Sequence, residues 1–244
     1  MKRILLLIFT CWLVACDEEQ LSTAPPEGKA GSLARFAMVD NYLYVVNNSS
    51  IRIFKMDDAG AIHEEAAREV GIGIETIVAR GNHLFLGASD AMYIYDISDR
   101  IAPQLLSRYS HLIGCDPVVV QDIYAYVTIR IGSCREAGND VLEVIDISDV
   151  TNPLLLKTYD MNSPHGLGID GDLLFVCEGD FGLRVMNVSN PLEAATVKQY
   201  HDIHAYDVIT NNGVLILTGD DGIFQYDYSD PLAITQLSHL GIAL

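Results

Sequence analysis

One pattern recurs five times along the chain. An apolar run is followed about ten residues later by a polar turn, most often of the type Asp-Ile-Ser-Asp. The turn begins at Lys55, Asp96, Asp146, Asn187 and Asp227, giving steps of 41, 50, 41 and 40 residues. The apolar runs are centred on Val45, Leu86, Val127, Val176 and Leu217, with steps of 41, 41, 49 and 41. A fixed period of this length means stacked supersecondary units, each unable to bury its apolar face alone. For an all-β chain it predicts a β-propeller of about five four-stranded blades.

The unit over 163–202 shows how one blade is written. Leu173-Leu174-Phe175-Val176 is almost wholly apolar, as a strand buried on both faces requires. It is preceded by a short strand ending at Asp170-Gly171-Asp172 and followed by the turn Glu178-Gly179-Asp180-Phe181-Gly182. Leu183 to Val188 and Ala195 to Tyr200 supply two more strands. Strands this short, joined by tight turns, form an antiparallel meander. The first unit departs most, because His63 to Glu69 (HEEAARE) reads as more helical than extended.

At "LEVIDISD" (142–149), "LRVMNVSNP" (183–191) and "YDV" (206–208) the sequence resembles the LVIVD-repeat proteins, which are bacterial envelope propellers. The resemblance extends over about residues 33–240. It implies the propeller fold and is almost silent on chemistry.

The first residues read as a targeting segment. Lys2 and Arg3 precede the apolar stretch Ile4 to Ala15, which is too short to span a bilayer. It ends in Leu13-Val14-Ala15-Cys16, which resembles a bacterial lipobox. That resemblance implies a signal peptide over 1–15, removed before Cys16, and an acylated thiol on Cys16 as the attachment to a lipid bilayer. Residues 16–31 then carry the lipidated Cys and an acidic, flexible tether, which spans roughly 20 Å. The propeller domain is expected over 32–244. Asp17-Glu18-Glu19 resembles a retention signal for the inner membrane in enteric bacteria and a surface-export signal in the Bacteroidetes. The expected location is the cell envelope, with the outer membrane or cell surface favoured over the inner membrane.

The formal charge is −18, and loss of Lys2 and Arg3 with the signal peptide would take it to −20. Such a chain is a poor partner for nucleic acid, whose affinity comes from Lys and Arg on phosphate.

Candidate chemistry is sparse. The acids and serines of the repeated turns fit hydrogen bonds to nearby backbone amides. Gly179-Asp180-Phe181-Gly182 and Gly219-Asp220-Asp221-Gly222 lack the alternating acids of a calcium loop, and no metal or other cofactor is expected. The positions eleven residues before each apolar centre are Ala34, Glu75, Asp116, His165 and Tyr206, with Asp207 adjacent. Innermost strands line a propeller's axis, so these residues should ring one mouth of the channel. There a hydrated polar channel, a ligand site and acid-base chemistry are all open readings. The third unit alone has an insertion, Ile129 to Asn139, on that same face. It holds Cys134, which can meet Cys115 in a disulfide, leaving Cys177 free.

Two functions compete. The first is a non-enzymatic binding or scaffold module with an unknown protein or glycan partner and no catalytic residues. The second is a glycan-active or other hydrolytic enzyme using Glu75 and Asp116.

Overall fold

The computed structural model describes residues 30–110, 117–131 and 138–242. Cys16, the expected signal peptide and most of the expected tether lie outside these residues, as do Cys115, Asp116 and Cys134. Twenty strands form five antiparallel sheets of four, each a simple meander. Blade 1 holds β1 (Phe36–Val39), β2 (Tyr42–Val46), β3 (Ser50–Met56) and β4 (Ile62–Glu69). Blade 2 holds β5 (Ile74–Arg80), β6 (His83–Ala88), β7 (Ala91–Asp96) and β8 (Gln104–Ser110). In blade 3 are β9 (Val118–Gln121), β10 (Tyr124–Ile129), β11 (Val141–Asp146) and β12 (Leu154–Asp160). Blade 4 follows with β13 (Leu167–Asp170), β14 (Leu173–Cys177), β15 (Leu183–Asn187) and β16 (Ala195–Tyr200). Blade 5 ends the described chain with β17 (Asp207–Asn211), β18 (Val214–Gly219), β19 (Gly222–Asp227) and β20 (Thr235–Gly241).

The turns have local causes. The first residue of each inner hairpin loop has positive φ: Asp40, Gly81, Asp122, Gly171 and Asn212, between 48° and 54°. Gly, Asn and Asp are the residues that enter this region at least cost. The repeated acids cap their turns as expected: Oδ1 of Asp96, Asp146, Asn187 and Asp227 accepts the amide of Ser98, Ser148, Ser189 and Ser229 at 2.7, 2.8, 3.0 and 2.8 Å. The Gly-rich turn of blade 4 also has a steric reason. A Cβ on Gly182, at φ 102°, would stand 2.0 Å from the Tyr200 carbonyl oxygen of the neighbouring strand.

HEEAARE corrects the helical reading: it is the outer strand β4, paired along β3 from Ser50↔Glu69 to Met56↔Ile62. The open edge of β3 offers a full ladder, and Arg52 Nε donates to Glu64 Oε1 at 3.0 Å across it. Tertiary pairing overrides a weak local preference.

The blades stack through one recurring contact. The second strand of each of the first four blades presents an aromatic side chain to the next blade. Tyr44 packs with Leu84 and Leu86, Phe85 with Ala125 and Val127, Tyr126 with Leu174 and Val176, and Phe175 with Leu215 and Leu217. All four aromatics are at most 2 % exposed. The fifth place in the series is Ile216, and the facing position in blade 1 is Val45; both are only half-buried. On the same face of blade 1, Phe36 is 52 % exposed, whereas its equivalents Ile77, Val118, Leu167 and Val208 are buried. Among the described residues no apolar cluster joins blade 5 to blade 1. A seam without a core therefore interrupts the ring.

The seam sets an order of stability. Phe175→Ala should cost about 3–5 kcal/mol, as for a fully buried aromatic, and Ile216→Ala at the equivalent seam position should cost well under half as much. Native-state hydrogen exchange should find the strongest protection in blades 2 to 4 and the weakest in blades 1 and 5. Equal protection of all five blades would show a core at the seam.

Candidate functional site

The innermost strand of every blade, β1, β5, β9, β13 and β17, pairs on one side only. Its other backbone edge faces the axis. Together these strands enclose a central cavity of about 800 Å³. Small and branched side chains such as Ala37, Val39, Val120, Ile169 and Thr210 contribute to its wall.

Glu75 stands on a bulge at the start of β5. The ladder pairs Ile74 with Ala88 and Thr76 with Gly87, so Glu75 is an extra residue without a partner. Blade 4 has two residues against one at the same place, the His165 amide reaching the Cys177 carbonyl at 2.7 Å and the Cys177 amide the Gly166 carbonyl at 2.9 Å, but among the described inner ladders β5 is the one that runs on past the irregularity. Bulges re-aim a side chain and are frequent beside functional sites. Burial raises the Glu75 carboxyl above the ordinary range, and Arg35 and Arg130 draw it back. Arg130 thus acts on Glu75 from the root of the blade 3 insertion.

His165 is held from several sides. Its Nδ1 donates to the Ser163 carbonyl at 2.7 Å, which leaves Nε2 as the acceptor of the neutral ring. Its own carbonyl accepts Thr128 Oγ1 at 2.8 Å. Ser163 adopts φ 49°, and its amide donates to Asp140 Oδ2 at 2.8 Å. Asp140 Oδ1 also takes the Ile131 amide, at 2.8 Å. One carboxylate therefore ties both ends of the insertion's base to the loop that carries His165. The His165 ring lies 5.0 Å from that of Tyr206, tilted by 58°. Gly179 packs beneath, where a Cβ would come within 3.1 Å of the imidazole. Burial, then the nearby Arg130, lowers the His165 pKa below 6.5, so the ring is neutral at neutral pH. Tyr206 completes the cluster by donating its hydroxyl to Asp220 Oδ2 at 3.2 Å.

Asp207 has a different task. Its Oδ1 accepts Ser32 Oγ at 3.1 Å and its Oδ2 the Leu33 amide at 3.4 Å. Ser32 Oγ in turn accepts the Leu167 amide at 2.7 Å, while the Ala34 carbonyl accepts the Ile77 amide at 3.0 Å. Residues 31–34 thus cross the mouth as a clasp linking blades 2, 4 and 5. The Asp207 carboxylate is occupied by the chain itself, and burial raises its pKa despite these donors. Nothing in the sequence marks Ser32, because its partners lie 135 and 175 residues away.

The remaining candidates separate clearly. Glu178 is fully buried but completely partnered: Arg184 Nη2 lies 2.8 Å from Oε1, which also accepts the Asn162 amide at 2.8 Å. Breaking such a pair costs about 3–5 kcal/mol, so the role is structural. Cys177 is buried, its thiol pKa pushed well up by burial. No group of three metal-ligating side chains occurs among the described residues.

The mouth therefore assembles a half-buried carboxyl, a neutral imidazole, a phenol and a guanidinium on rigid supports. Such a set suits hydrogen bonding to a polar ligand. His165 supplies a pH test. Its folded-state pKa is depressed, so its contribution to stability is present above the unfolded value of about 6.5 and is lost as pH falls through the folded one. NMR titration should place the His165 midpoint below 6.5, and His165→Gln should reduce the loss of melting temperature between about pH 7 and pH 5. A midpoint at or above 6.5 would contradict the buried, Arg-flanked environment. Asp207 contributes with the opposite sign, favouring the fold at low pH and less so as its carboxyl ionises.

The LVIVD repeat model matches residues 75–111 and 115–161. No curated protein matches the chain. Among solved structures, a protein from Lactobacillus plantarum has a TM-score of 0.65 at 15 % identity, with 83 % of this chain and 69 % of that one covered. A functionally unknown protein from Desulfotomaculum acetoxidans gives 0.66 at 11 %, covering 83 % and 67 %. The periplasmic gluconolactonase of Pseudomonas aeruginosa gives 0.65 at 13 %, covering 84 % and 68 %. At these identities the likeness concerns the fold and not the chemistry. The chain carries LVIVD repeats on a five-bladed β-propeller.

Proposed function

We propose that this protein is a non-enzymatic binding module of the bacterial cell envelope, lipid-anchored through Cys16, with its recognition site at the channel mouth. The observation that carries the reading is the half-buried Glu75 on the β5 bulge, influenced by the same Arg130 that acts on His165, which is itself seated against Tyr206. A rigid scaffold with an irregular, polar, partly buried patch is where a ligand site is expected. The unpaired strand edges around the axis add backbone donors and acceptors for a polar ligand. The partner would be a protein segment or a glycan. Asp207 belongs to the clasp rather than to the contact surface.

The hydrolytic alternative rests on Glu75, whose raised carboxyl suits a general acid. It needs a second carboxylate, and Asp116 lies outside the described residues. The gluconolactonase shares the fold and offers that alternative an analogy.

Two measurements test the proposal. Metabolic labelling with a fatty-acid analogue should tag the wild type and spare Cys16→Ser; equal labelling would remove the anchor. Cross-linking in the native envelope should recover a molecule with the wild type that the Glu75→Gln, His165→Gln double variant loses by at least tenfold, with its melting temperature nearly unchanged. A loss of one good polar contact corresponds to about that factor. An unchanged yield would place recognition elsewhere. Hydrolysis of model esters or glycosides that disappears in Glu75→Gln would favour the enzyme instead.

A further inference from the structure

The outermost strand of each blade exposes a row of unpaired backbone groups, a template for another strand unless it is guarded. Four of the five are guarded by charge. β4 carries Glu64, Glu65, Arg68 and Glu69; β8 carries Arg108; β12 carries Lys157 and Asp160; β16 carries Lys198. β20, with the sequence TQLSHLG, has no Asp, Glu, Lys or Arg, and all seven residues are exposed. The ladders locate the difference from blades 3 and 4. Lys157 pairs with Val144 in blade 3 and Lys198 with Val185 in blade 4, and the equivalent pair in blade 5 is Ser238 with Gln225. Lysine is particular to blades 3 and 4 at this place, since blade 2 has Ser107 opposite Ile94 and blade 1 Ala66 opposite Ile53, but those two strands carry charge elsewhere and β20 carries none. Around it, Leu237, Leu240 and Ile242 are 55 %, 68 % and 57 % exposed.

We infer that β20 is a self-association strand: two copies of this chain pair β20 against β20 in antiparallel fashion about a two-fold axis. A strand edge is completed only by another extended strand, because its donors and acceptors alternate at a fixed spacing. A second copy brings the same strand, and a two-fold contact is self-complementary by construction. Charge narrows the choice of surface. Two chains of formal charge −18 repel, so they meet best where carboxylates are absent, and β20 is the outer strand among the five without any formal charge. Pairing would cover Leu237, Leu240 and Ile242 in the same contact. His239 is fixed inside the protomer, stacked on Phe224 at 4.2 Å with Nε2 bonded to the Asp221 carbonyl, so the strand is already ordered before it pairs. One seven-residue strand pair makes a small interface. The dimer is therefore weak and concentration-dependent in solution, and confinement to a surface would strengthen it.

Sedimentation velocity on the full chain carrying Cys16→Ser, purified without detergent, is the test. Twice the monomer mass should appear as concentration rises. Ser238→Lys, which restores the guard of blades 3 and 4, and Leu240→Lys should both remain monomeric at those concentrations with unchanged melting temperature. Exchange of the outward-facing β20 amides in the wild type should slow as concentration rises, an independent reading if a variant misfolds. A monomer at every concentration, a dimer that survives both lysines, or protection of β20 seen only in the presence of a different protein would each overturn the inference.

Discussion

Everything in this molecule depends on one aromatic contact made four times. In blades 1 to 4 the second strand carries a buried aromatic side chain that fills the space between that blade and the next, and in blades 2 to 4 that strand is buried on both faces. Neither sheet could stand alone in water, since a four-stranded meander with two apolar faces has nowhere to put them. Stacking removes both faces at once, and the stack curves because each blade is twisted and wider at its outer edge. Where the aromatic is replaced by Ile216, the stacking stops and the seam opens.

The seam is managed at its inner end by hydrogen bonds rather than by apolar packing. The Ser32–Asp207–Leu167 clasp places a hydroxyl and a carboxylate between blades that share no apolar core across the gap. Being polar, this closure responds to pH, whereas the four apolar interfaces do not. It also fixes where the chain enters the domain. The chain enters the propeller across the channel mouth, next to His165 and Tyr206. Residues 31–34 therefore lie beside those two side chains, and the base of the blade 3 insertion is tied to the same place by Asp140.

The polar groups of the mouth are unequal in kind. Glu178 and Asp207 are the more buried carboxylates, yet both are committed to internal partners. Glu75 is less buried but sits on a backbone irregularity and is not tied to an internal partner by a hydrogen bond that holds the fold. A strained or irregular position whose side chain is not needed to hold the fold is a better sign of function than burial alone.

The period, the blade count and the places of the buried strands, to within one or two residues at their ends, were legible in the sequence. They arise from residue spacing and apolar runs, which are local properties repeated five times. The turn acids were legible for the same reason, because an Asx turn is made within three residues. Even the seam left a trace, as the series Tyr44, Phe85, Tyr126, Phe175 ends in Ile216. The fourth strand of blade 1 was not legible. HEEAARE has helical propensity, and only the waiting edge of β3 makes it a strand. Nor was the clasp, since Ser32 meets Asp207 only after five blades have brought the chain around. The bulge at Glu75, the seat of His165 against Tyr206 and the unguarded edge of β20 were likewise decided by tertiary structure. Each is a relation between residues that the ladders and the ring bring together, and no local pattern encodes it.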